Sequence, residues 1–567
     1  MRYVVFALAV LLSLTALGVQ ARPAAPAPAV TGSADAFGVD VDSSLDAAAI
    51  ARLGSGWIRI AADWSALEPA RGQFAWRDLD LAVQRASGPR VHLVAVLVNT
   101  PRWAALTPDA PESAWRHQPP RNLADWDAFV QAAASRYRSL VAAWQIEPAL
   151  DFAMYRGTLE DYVGMLHAAR SAVRRADPQA LVIAASPSGL DLSYTKTILA
   201  RAGEDFDALV LTPQREAPEN VLEALTVIRT RILPGDRHQL WIGGADAGGV
   251  APDRPDSAVG TVMVRMAAAE LAGGAAREFW SGRQLAEAWA PVRQTIIRML
   301  GDVRFVGWLP RGPGVYALVF TDARSPVAVL WSTGAPARVP LDAGGSLSVT
   351  TANGDPVPPS VLSDPAAVQA GPEPVFVRGL AASVEQEAAT MTQRGAFEIP
   401  RDPAQDFSHA PNVSITLGAV NTEQGLYNQR YRAWLPGAVV PVTVDGVEAV
   451  RTDQTRQAVY VYLDVDHSFV YFVDGREDLL VTVEVHRAEA PQRVGFNLYY
   501  DSTTGYRFTP WQWVEAGTGW ATYTIRLADA SFSGPWGWDF AVNGAGNKKE
   551  DLVVRSVTVR KVRPGEP

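Results

Sequence analysis

The chain has 567 residues, of which 48% are hydrophobic and 20% are charged, and its formal net charge is -9. This balance is that of a folded protein rather than a disordered one, and the length predicts roughly two to four domains. No block of basic residues stands out, so neither nucleic acid nor an anionic lipid surface is expected as a partner. The absence of cysteine excludes disulfides, thiol nucleophiles and cysteine-ligated metals.

The first 35 residues are expected to lie outside the fold. Arg2 precedes a short apolar run that ends in a small-residue cleavage pattern at Ala21. Residues 1–21 therefore predict a secretory signal peptide, with a membrane anchor as the alternative, and residues 22–35 predict a Pro/Ala-rich linker. A secreted or periplasmic protein is expected, with no membrane span after signal cleavage.

From residue 36 to residue 301, short apolar runs alternate with longer amphipathic stretches. Eight runs predict strands, and helix patterns lie between most of them. The best marked helix pattern begins after Thr158, an N-cap candidate with Asp161 three residues on, and ends just before Asp177. Eight strands that alternate with helices predict a (β/α)8 TIM barrel. The predicted strands are 36–41, 56–62, 91–98, 141–146, 180–186, 208–213, 239–244 and 278–281.

Beyond residue 301 the pattern changes to short strands separated by Gly/Pro turns. Residues 302–380 predict a small β-sandwich, and residues 381–405, which are polar and weakly patterned, predict a linker. Residues 406–567 carry seven short alternating strands, which predict a jelly roll similar to carbohydrate-binding modules. Four tryptophans in its turn-rich stretches are candidate ligand contacts, with packing as the alternative: Trp511, Trp513, Trp536 and Trp538.

In a (β/α)8 barrel, chemistry is carried by residues at the carboxyl ends of the strands. Strand two runs into R-x-x-x-x-W-x-x-x-E-P-x-x-G-x-F-x-W, strand three ends in T-P-x-W-A, and an aromatic with G-T-x-E-x-Y follows strand four. Over roughly residues 37–335 the chain resembles the clan A glycoside hydrolases, most closely glycoside hydrolase family 39 and its relatives in exopolysaccharide operons. The matching residues are Arg59, Trp64, Glu68, Pro69, Gly72, Phe74, Trp76, Thr100, Pro101, Trp103, Ala104, Tyr155, Gly157, Thr158, Glu160 and Tyr162.

The resemblance implies an acid/base carboxylate after strand four and a nucleophile at the end of strand seven. The family's strand-four motif, W-E-I-W-N-E-P-N, stands here as WQIEPALD. With a gap of two residues, Glu147 takes the acid/base position and Ile146 replaces the Asn. Without the gap, the Glu position falls on Ala149 and the Asn position on Pro148. Both alignments lose the Asn, and the sequence leaves both open.

Strands six and seven also depart from the family pattern. The nucleophile motif W-[IV]-T-E-x-G-W stands here as LWIGGADAGG, in which Gly244 takes the Glu position and Asp246 follows two residues later. Strand six, which ends in H-P-Y in the family, has Gln214 in place of the Tyr. Glycine cannot act as a nucleophile, so three strand ends have lost catalytic or substrate-binding residue types.

The candidate catalytic residues are therefore Glu147 and Asp246. No metal or cofactor is expected, because the seven histidines are scattered and no nucleotide-binding motif is present. Flat aromatic rings stack on sugar rings, although tryptophans at these positions are equally typical of barrel-top core. The candidate substrate-binding residues are Trp64, Asn99, Trp103, Trp115, Gln214 and Trp280.

The leading hypothesis is a secreted glycoside-hydrolase-like protein that binds extracellular polysaccharide and has lost hydrolysis. It would act in exopolysaccharide assembly or retention. One alternative is an active glycoside hydrolase that uses Glu147 as acid/base together with Asp246; a wide separation of the two carboxyl groups would then favour inversion. Another alternative is a protein-interaction scaffold, in which the jelly roll binds a protein partner.

Overall fold

The computed structural model describes residues 35–563, except for 43, 89, 148, 151–154, 214–215, 234–236, 246–255, 286–288, 324, 359–366, 430–438, 490–491 and 548. The predicted signal peptide, Gln214 and Asp246 lie outside the described residues. Among the helices of the described part, none combines the length and the apolar character needed to cross a membrane.

The predicted barrel is confirmed, because eight parallel strands close into a ring in chain order. Helices on the outside connect the strands, and each predicted strand is present. The strands are β1 (Phe37–Val41), β2 (Trp57–Asp63), β3 (His92–Val98), β4 (Val141–Ile146), β5 (Leu181–Ser188), β6 (Ala208–Thr212), β7 (Gln239–Ala245) and β8 (Ala275–Ser281). The helices are α1 (Ala47–Arg52), α2 (Trp64–Leu67), α3 (Arg77–Ala86), α4 (Glu112–Trp115), α5 (Leu123–Arg136), α6 (Leu159–Ala176), α7 (Leu192–Ala202), α8 (Pro218–Val227), α9 (Asp256–Ala272), α10 (Gly282–Gln284) and α11 (Ala290–Leu300).

Helix α6 begins and ends where the sequence predicts. The Thr158 hydroxyl accepts from the Asp161 amide at 3.1 Å, and the Asp161 carboxylate accepts from the Thr158 amide at 2.8 Å, which completes a capping box. On its buried face, the Tyr162 hydroxyl donates to the Ile146 carbonyl and accepts from the Ala185 amide, each at 2.7 Å. The helix therefore ties together the ends of β4 and β5.

Side chains close the amino-terminal end of the barrel. The Arg277 guanidinium lies 4.2 Å from the ring centroid of Trp57 and 4.9 Å from that of Trp241. Its Nη1 donates to Gln239 Oε1 at 2.7 Å, and burial lowers the pKa of Arg277 to about 10. Any ligand must therefore enter at the carboxyl ends of the strands.

A β-sandwich follows the barrel, with a six-stranded antiparallel sheet in the order β14-β13-β16-β11-β10-β9 and a pair β12-β15. The predicted linker 381–405 instead contains α12 (Ala382–Arg394). Only Val384 and Ala388 are buried along the 13 residues of this helix, about one residue in every two turns, which is too sparse a pattern to predict it. The strands are β9 (Arg304–Trp308), β10 (Val315–Thr321), β11 (Pro326–Ser332), β12 (Ala337–Pro340), β13 (Ala343–Thr351), β14 (Pro356–Val357), β15 (Ala367–Ala370) and β16 (Val375–Leu380).

Two antiparallel sheets with a shared apolar core make up the remainder, called here the C-terminal sandwich. One sheet contains β17, β18, β20, β21, β23, β27 and β29, and the other has the order β19-β22-β28-β24-β25 with β26 also paired to β24. The strands are β17 (Asn412–Thr416), β18 (Thr422–Gln424), β19 (Leu426–Asn428), β20 (Val440–Val444), β21 (Val447–Arg451), β22 (Tyr460–Val465), β23 (Leu479–His486), β24 (Gly495–Ser502), β25 (Gly505–Phe508), β26 (Gln512–Trp513), β27 (Trp520–Leu527), β28 (Phe540–Asn543) and β29 (Val553–Lys561).

Helix α8 joins the barrel to both sandwiches. Its Glu219 accepts from the indole of Trp331 at 2.8 Å, and its Glu223 accepts from Arg401 at 2.5 Å and pairs with His467 Nδ1 at 2.8 Å. Burial alone would lower the pKa of His467, but the hydrogen bond and charge of Glu223 outweigh it and raise that pKa to about 9. One half-buried carboxylate thus holds two cationic groups from outside the barrel.

This junction makes stability depend on pH. Because the folded pKa of His467 is raised, its stabilisation is complete below the unfolded value near 6.5 and is lost as pH rises through about 9. We expect the thermal midpoint of the wild type to fall as pH rises from roughly 7 to 10. Glu223→Gln should lower the midpoint at pH 7 and make it less dependent on pH. Calorimetry across this range measures both effects. The control, Glu204→Gln at an exposed glutamate, should keep the wild-type slope; a Glu223→Gln profile parallel to wild type would contradict the assignment.

Candidate functional site

The carboxyl ends of β2, β3 and β4 bring a polar group to one rim of the barrel. The parallel register pairs Asp63 with Val98 and Leu97 with Ile146, so Asp63 and Glu147 reach the same layer two strands apart. Two strand spacings of about 4.8 Å put their Cα atoms roughly 10 Å from each other. Residues far apart in sequence therefore meet at this rim.

Two residues of the rim adopt strained backbone conformations. Asn99 and Glu147 follow β3 and β4 directly, and their φ angles are 63° and 62°. The left-handed region costs a non-glycine residue on the order of 1 kcal/mol or more, so it persists only where neighbours hold it. Here the Glu147 amide donates to the Leu97 carbonyl at 3.1 Å, and Gln145 Nε2 donates to the Glu147 carbonyl at 3.0 Å. Strain held in this way at adjacent strand ends is typical of functional sites.

Asp63 organises the rim, a role that sequence reasoning missed. Its Oδ1 accepts from the Ser65 amide at 2.9 Å and caps α2, while its Oδ2 accepts from Asn99 Nδ2 at 2.8 Å and from Arg116 Nη2 at 2.5 Å. One carboxylate therefore positions an amide and a guanidinium beside the opening. The signal for Asp63 was its place directly after the predicted barrel strand 56–62.

Glu147 is a buried acid, with 6% of its surface exposed. Its carboxyl group makes no hydrogen bond within the part of the chain that the structure describes. Burial, and then the charge of Asp63, raise the pKa of Glu147 to about 8, so it is protonated at neutral pH and can donate a proton. Of the two alignments left open by the sequence, the structure places Glu147, not Ala149, directly after β4.

One layer below the rim, Arg59 spans the barrel interior. Its Nη2 donates to Asp40 Oδ2 at 2.7 Å, its Nη1 donates to Gln145 Oε1 at 3.2 Å, and its guanidinium lies 4.9 Å from the ring centroid of Phe279. Ala61, two residues further along β2, is exposed, so solvent reaches the interior position between Arg59 and Asp63. Strand alternation could have predicted that Arg59 faces the interior, but only the register supplies its partners.

Two consecutive glycines near the end of β7, Gly243 and Gly244, occupy positions that disfavour a larger residue. A Cβ on Gly243 would lie 2.6 Å from Arg59 Nη1 and 2.6 Å from Val210 Cγ1, which leaves no room for a side chain. Gly244 has a φ of 63°, and a Cβ there would lie 3.3 Å from Thr212 Cγ2. Within the described residues of β7, no carboxylate takes the nucleophile position that the resemblance implies.

Two of the predicted binding tryptophans are buried. Trp64 is 1% exposed, its indole donates to Glu68 Oε2 at 2.8 Å, and its ring packs against Trp126 and Phe129. Trp280 is completely buried. Neither ring presents a face to a ligand in this structure, which agrees with the core-packing alternative. The motif residue Glu68 acts structurally, as the acceptor of this indole.

The other described candidates lie nearer to the solvent. Trp103 is half-buried, but its indole donates to a backbone carbonyl at 2.8 Å and the Arg71 guanidinium lies 5.2 Å from its ring centroid. Trp115 is half-buried at the end of α4, next in sequence to Arg116. Asn99 is therefore hydrogen-bonded directly to Asp63 at the rim. Trp115 precedes Arg116, the other side chain that hydrogen-bonds to Asp63 Oδ2.

Comparison with known proteins supports the fold. No family model and no curated protein matches the chain. A family 39 glycoside hydrolase from the gut symbiont Bacteroides cellulosilyticus WH2 is similar in structure, with 14% identity, a TM-score of 0.50, and coverage of 62% of this chain and 81% of that chain. The family 30 subfamily 8 xylanase Xyn30A from Clostridium acetobutylicum has 12% identity, a TM-score of 0.45, and coverage of 61% and 96%. At 14% identity, the likeness to the family 39 structure shows the fold alone, which is the glycoside-hydrolase-like fold that the sequence resemblance implied.

The buried acid predicts a stability profile for Glu147→Gln. Because the folded pKa is raised from 4.5 to about 8, the wild-type chain loses stability as pH rises through this window, and the neutral amide does not. The advantage of the variant should grow by about 4 kcal/mol between pH 4.5 and pH 9. Calorimetry at several pH values measures the difference, and Glu160→Gln, at an exposed glutamate, is the control. A difference that stays constant with pH would rule out the buried acid.

The glycines of β7 predict a graded response to alanine. Gly243→Ala should destabilise the barrel by about 1–3 kcal/mol, because the added methyl group displaces Arg59 or Val210. Gly244→Ala should cost about 1 kcal/mol, since its strain comes from the positive φ and the space is less restricted. Denaturant unfolding followed by tryptophan fluorescence compares the two variants. Equal losses would show that the space at Gly243 is not restricted by Arg59.

Proposed function

We propose that the chain is a secreted glycoside-hydrolase-like protein that binds an extracellular polysaccharide at the barrel rim and has lost hydrolysis. The observation that carries this proposal is the end of β7, where Gly243 admits no side chain and where the residue that the resemblance aligns with the nucleophile is Gly244. A retaining glycosidase needs two carboxyl groups about 5–5.5 Å apart. Among the described residues, the rim holds the candidate acid Glu147, and the end of β7 holds no carboxylate.

Binding needs no catalytic pair. Asp63, Asn99 and Arg116 offer acceptors and donors in a fixed arrangement. Polar groups held in place before a ligand arrives lose little freedom when they bind sugar hydroxyl groups. Export, and a role in exopolysaccharide assembly or retention, are supported by the signal-peptide pattern and by the resemblance of the strand motifs.

An active glycoside hydrolase is the second candidate, and the protonated state of Glu147 favours it. A buried carboxylic acid with a pKa of about 8 is suited to protonate a leaving group. Asp246 would then serve as the other carboxylate. Asp63, whose charge acts on Glu147, has all of its described contacts within the rim and suits positioning better than attack.

The deciding experiment measures glycan retention and product release together. The mature chain is run through gels that contain single polysaccharides, including the producer's own exopolysaccharide, and the same mixtures are analysed by mass spectrometry. We expect retention without new oligosaccharides, with Asp63→Asn weakening retention by roughly tenfold because Asn99 and Arg116 lose their shared partner. Glu147→Gln should change neither result.

The control is Asp302→Asn, at an exposed aspartate beyond the barrel, which should bind like wild type. Oligosaccharides released by the wild type but not by Glu147→Gln would establish the second candidate. Retention that Asp63→Asn leaves unchanged would place binding away from the rim.

A further inference from the structure

One sheet of the C-terminal sandwich carries aromatic rings on the face turned away from the core. Side chains alternate along a strand, and Val461 of β22 and Leu498 of β24 are buried in the core of the sandwich. Tyr460, Tyr462 and Tyr499 therefore belong to the opposite face. This face is not filled by the partner sheet, because the core lies on its other side.

The rings share one face of the sheet, called here the aromatic platform and defined by Tyr460, Tyr499, Phe508 and Trp513. Tyr499 stacks on Phe508 with centroids 4.4 Å apart, and Tyr460 lies 6.4 Å from Tyr499. Trp513 pairs in register with Gly495 of β24, on the same face as Tyr499. Phe508 and Trp513 are 49% and 50% exposed, which is unusual for such large apolar side chains.

The chemistry around the platform suits an uncharged sugar chain. The strand residues that the register places between the rings are Asn497, Ala541 and Asn543, which are uncharged and buried, so the rings rather than these side chains would meet a ligand. Exposed ring faces bury the C–H surface of a pyranose, while phenol hydroxyl groups at the edge reach its hydroxyls. Arg493, whose guanidinium lies 4.8 Å from the Trp513 ring centroid, is the cation that an acidic polysaccharide would meet at this ring.

The platform adjoins the barrel at the end where ligands enter. Trp538 packs on Tyr506 of the same face at 4.4 Å, and three residues earlier Pro535 presses its carbonyl against Gly189. Gly189 directly follows the carboxyl end of β5 and has a φ of 91°, so a side chain there would clash with Pro535 and strain the backbone. The sandwich therefore meets the strand-end side of the barrel through a contact that requires glycine.

We propose that the aromatic platform is a second glycan-binding surface, which takes an uncharged stretch of polysaccharide and extends the path that begins at the barrel rim. The inference rests on the proposed function only in assigning both surfaces to one polymer. An unbranched chain that lies along the platform would pass the loop of Trp538 toward the end of β5. Affinity should then rise with oligosaccharide length until both surfaces are occupied.

The test uses the full mature chain with Phe508→Ala and Trp513→Ala combined. Retention is measured in gels that contain dextran, galactomannan or hydroxyethyl cellulose as uncharged polymers and alginate as an acidic one. We expect the double variant to lose roughly tenfold or more in retention on an uncharged polymer. Phe508→Tyr with Trp513→Phe keeps both rings and should stay within about threefold of wild type.

Val420→Ala, in the same sandwich, and Phe74→Ala, on the barrel, remove exposed apolar groups elsewhere and should bind like wild type. Unchanged retention of the correctly folded double variant would overturn the proposal. So would retention on alginate alone, no retention of the wild type on any uncharged polymer, or a wild-type dimer that the double variant converts to monomer.

Asp63→Asn separates this inference from the proposed function. Loss of retention in the double variant, with Asp63→Asn still bound, would support the platform and contradict the rim. Loss in Asp63→Asn alone would support the rim and overturn the platform. Partial loss in each, and greater loss when they are combined, would support one polymer on two surfaces.

Discussion

The guanidinium of Arg59 lies at the centre of the barrel, and the geometry of the opening depends on it. A buried cation needs a partner, which Asp40 supplies from β1, and Gln145 of β4 accepts a second hydrogen bond. The same group fills the space that a side chain at Gly243 would need. An interior ion pair thus determines which residue types the end of β7 can carry.

This constraint bears on the proposal that a glycoside-hydrolase-like barrel binds glycan without hydrolysing it. The strand ends on the β2–β4 side retain a network around Asp63 and a protonated Glu147, whereas the described end of β7 offers no carboxylate. Hydrogen bonding to sugars tolerates the loss of one carboxylate, but bond cleavage through a pair does not. The fold alone therefore does not determine whether such a barrel binds or hydrolyses a glycan, which depends on the residues at the rim.

Specific contacts hold the C-terminal sandwich against the barrel. Glu223 of α8 binds Arg401 and His467, which come from outside the barrel, and Gly189 admits the Pro535 loop at the end of β5. A second ligand surface adds to the first only where geometry allows both to be occupied at once. These contacts are the physical basis for the proposal that the rim and the aromatic platform bind one polymer.

The sequence by itself determined the eight barrel strands and helix α6 with its Thr158 cap, because hydrophobic period and capping are encoded within a few neighbouring residues. It also singled out Glu147. It did not predict α12, whose buried stripe of Val384 and Ala388 is too sparse. Both alignments of strand four also stayed open, because a gap cannot be placed from a local pattern.

Only the tertiary structure decided which side chains meet. It buried Trp64 in the core and joined Asn99 to Asp63 at the rim. It raised the pKa of Glu147, and it set Tyr499 beside Phe508 across two strands. Each of these outcomes depends on strand register and on burial among residues distant in the chain. Neither quantity is a property of a local stretch of sequence.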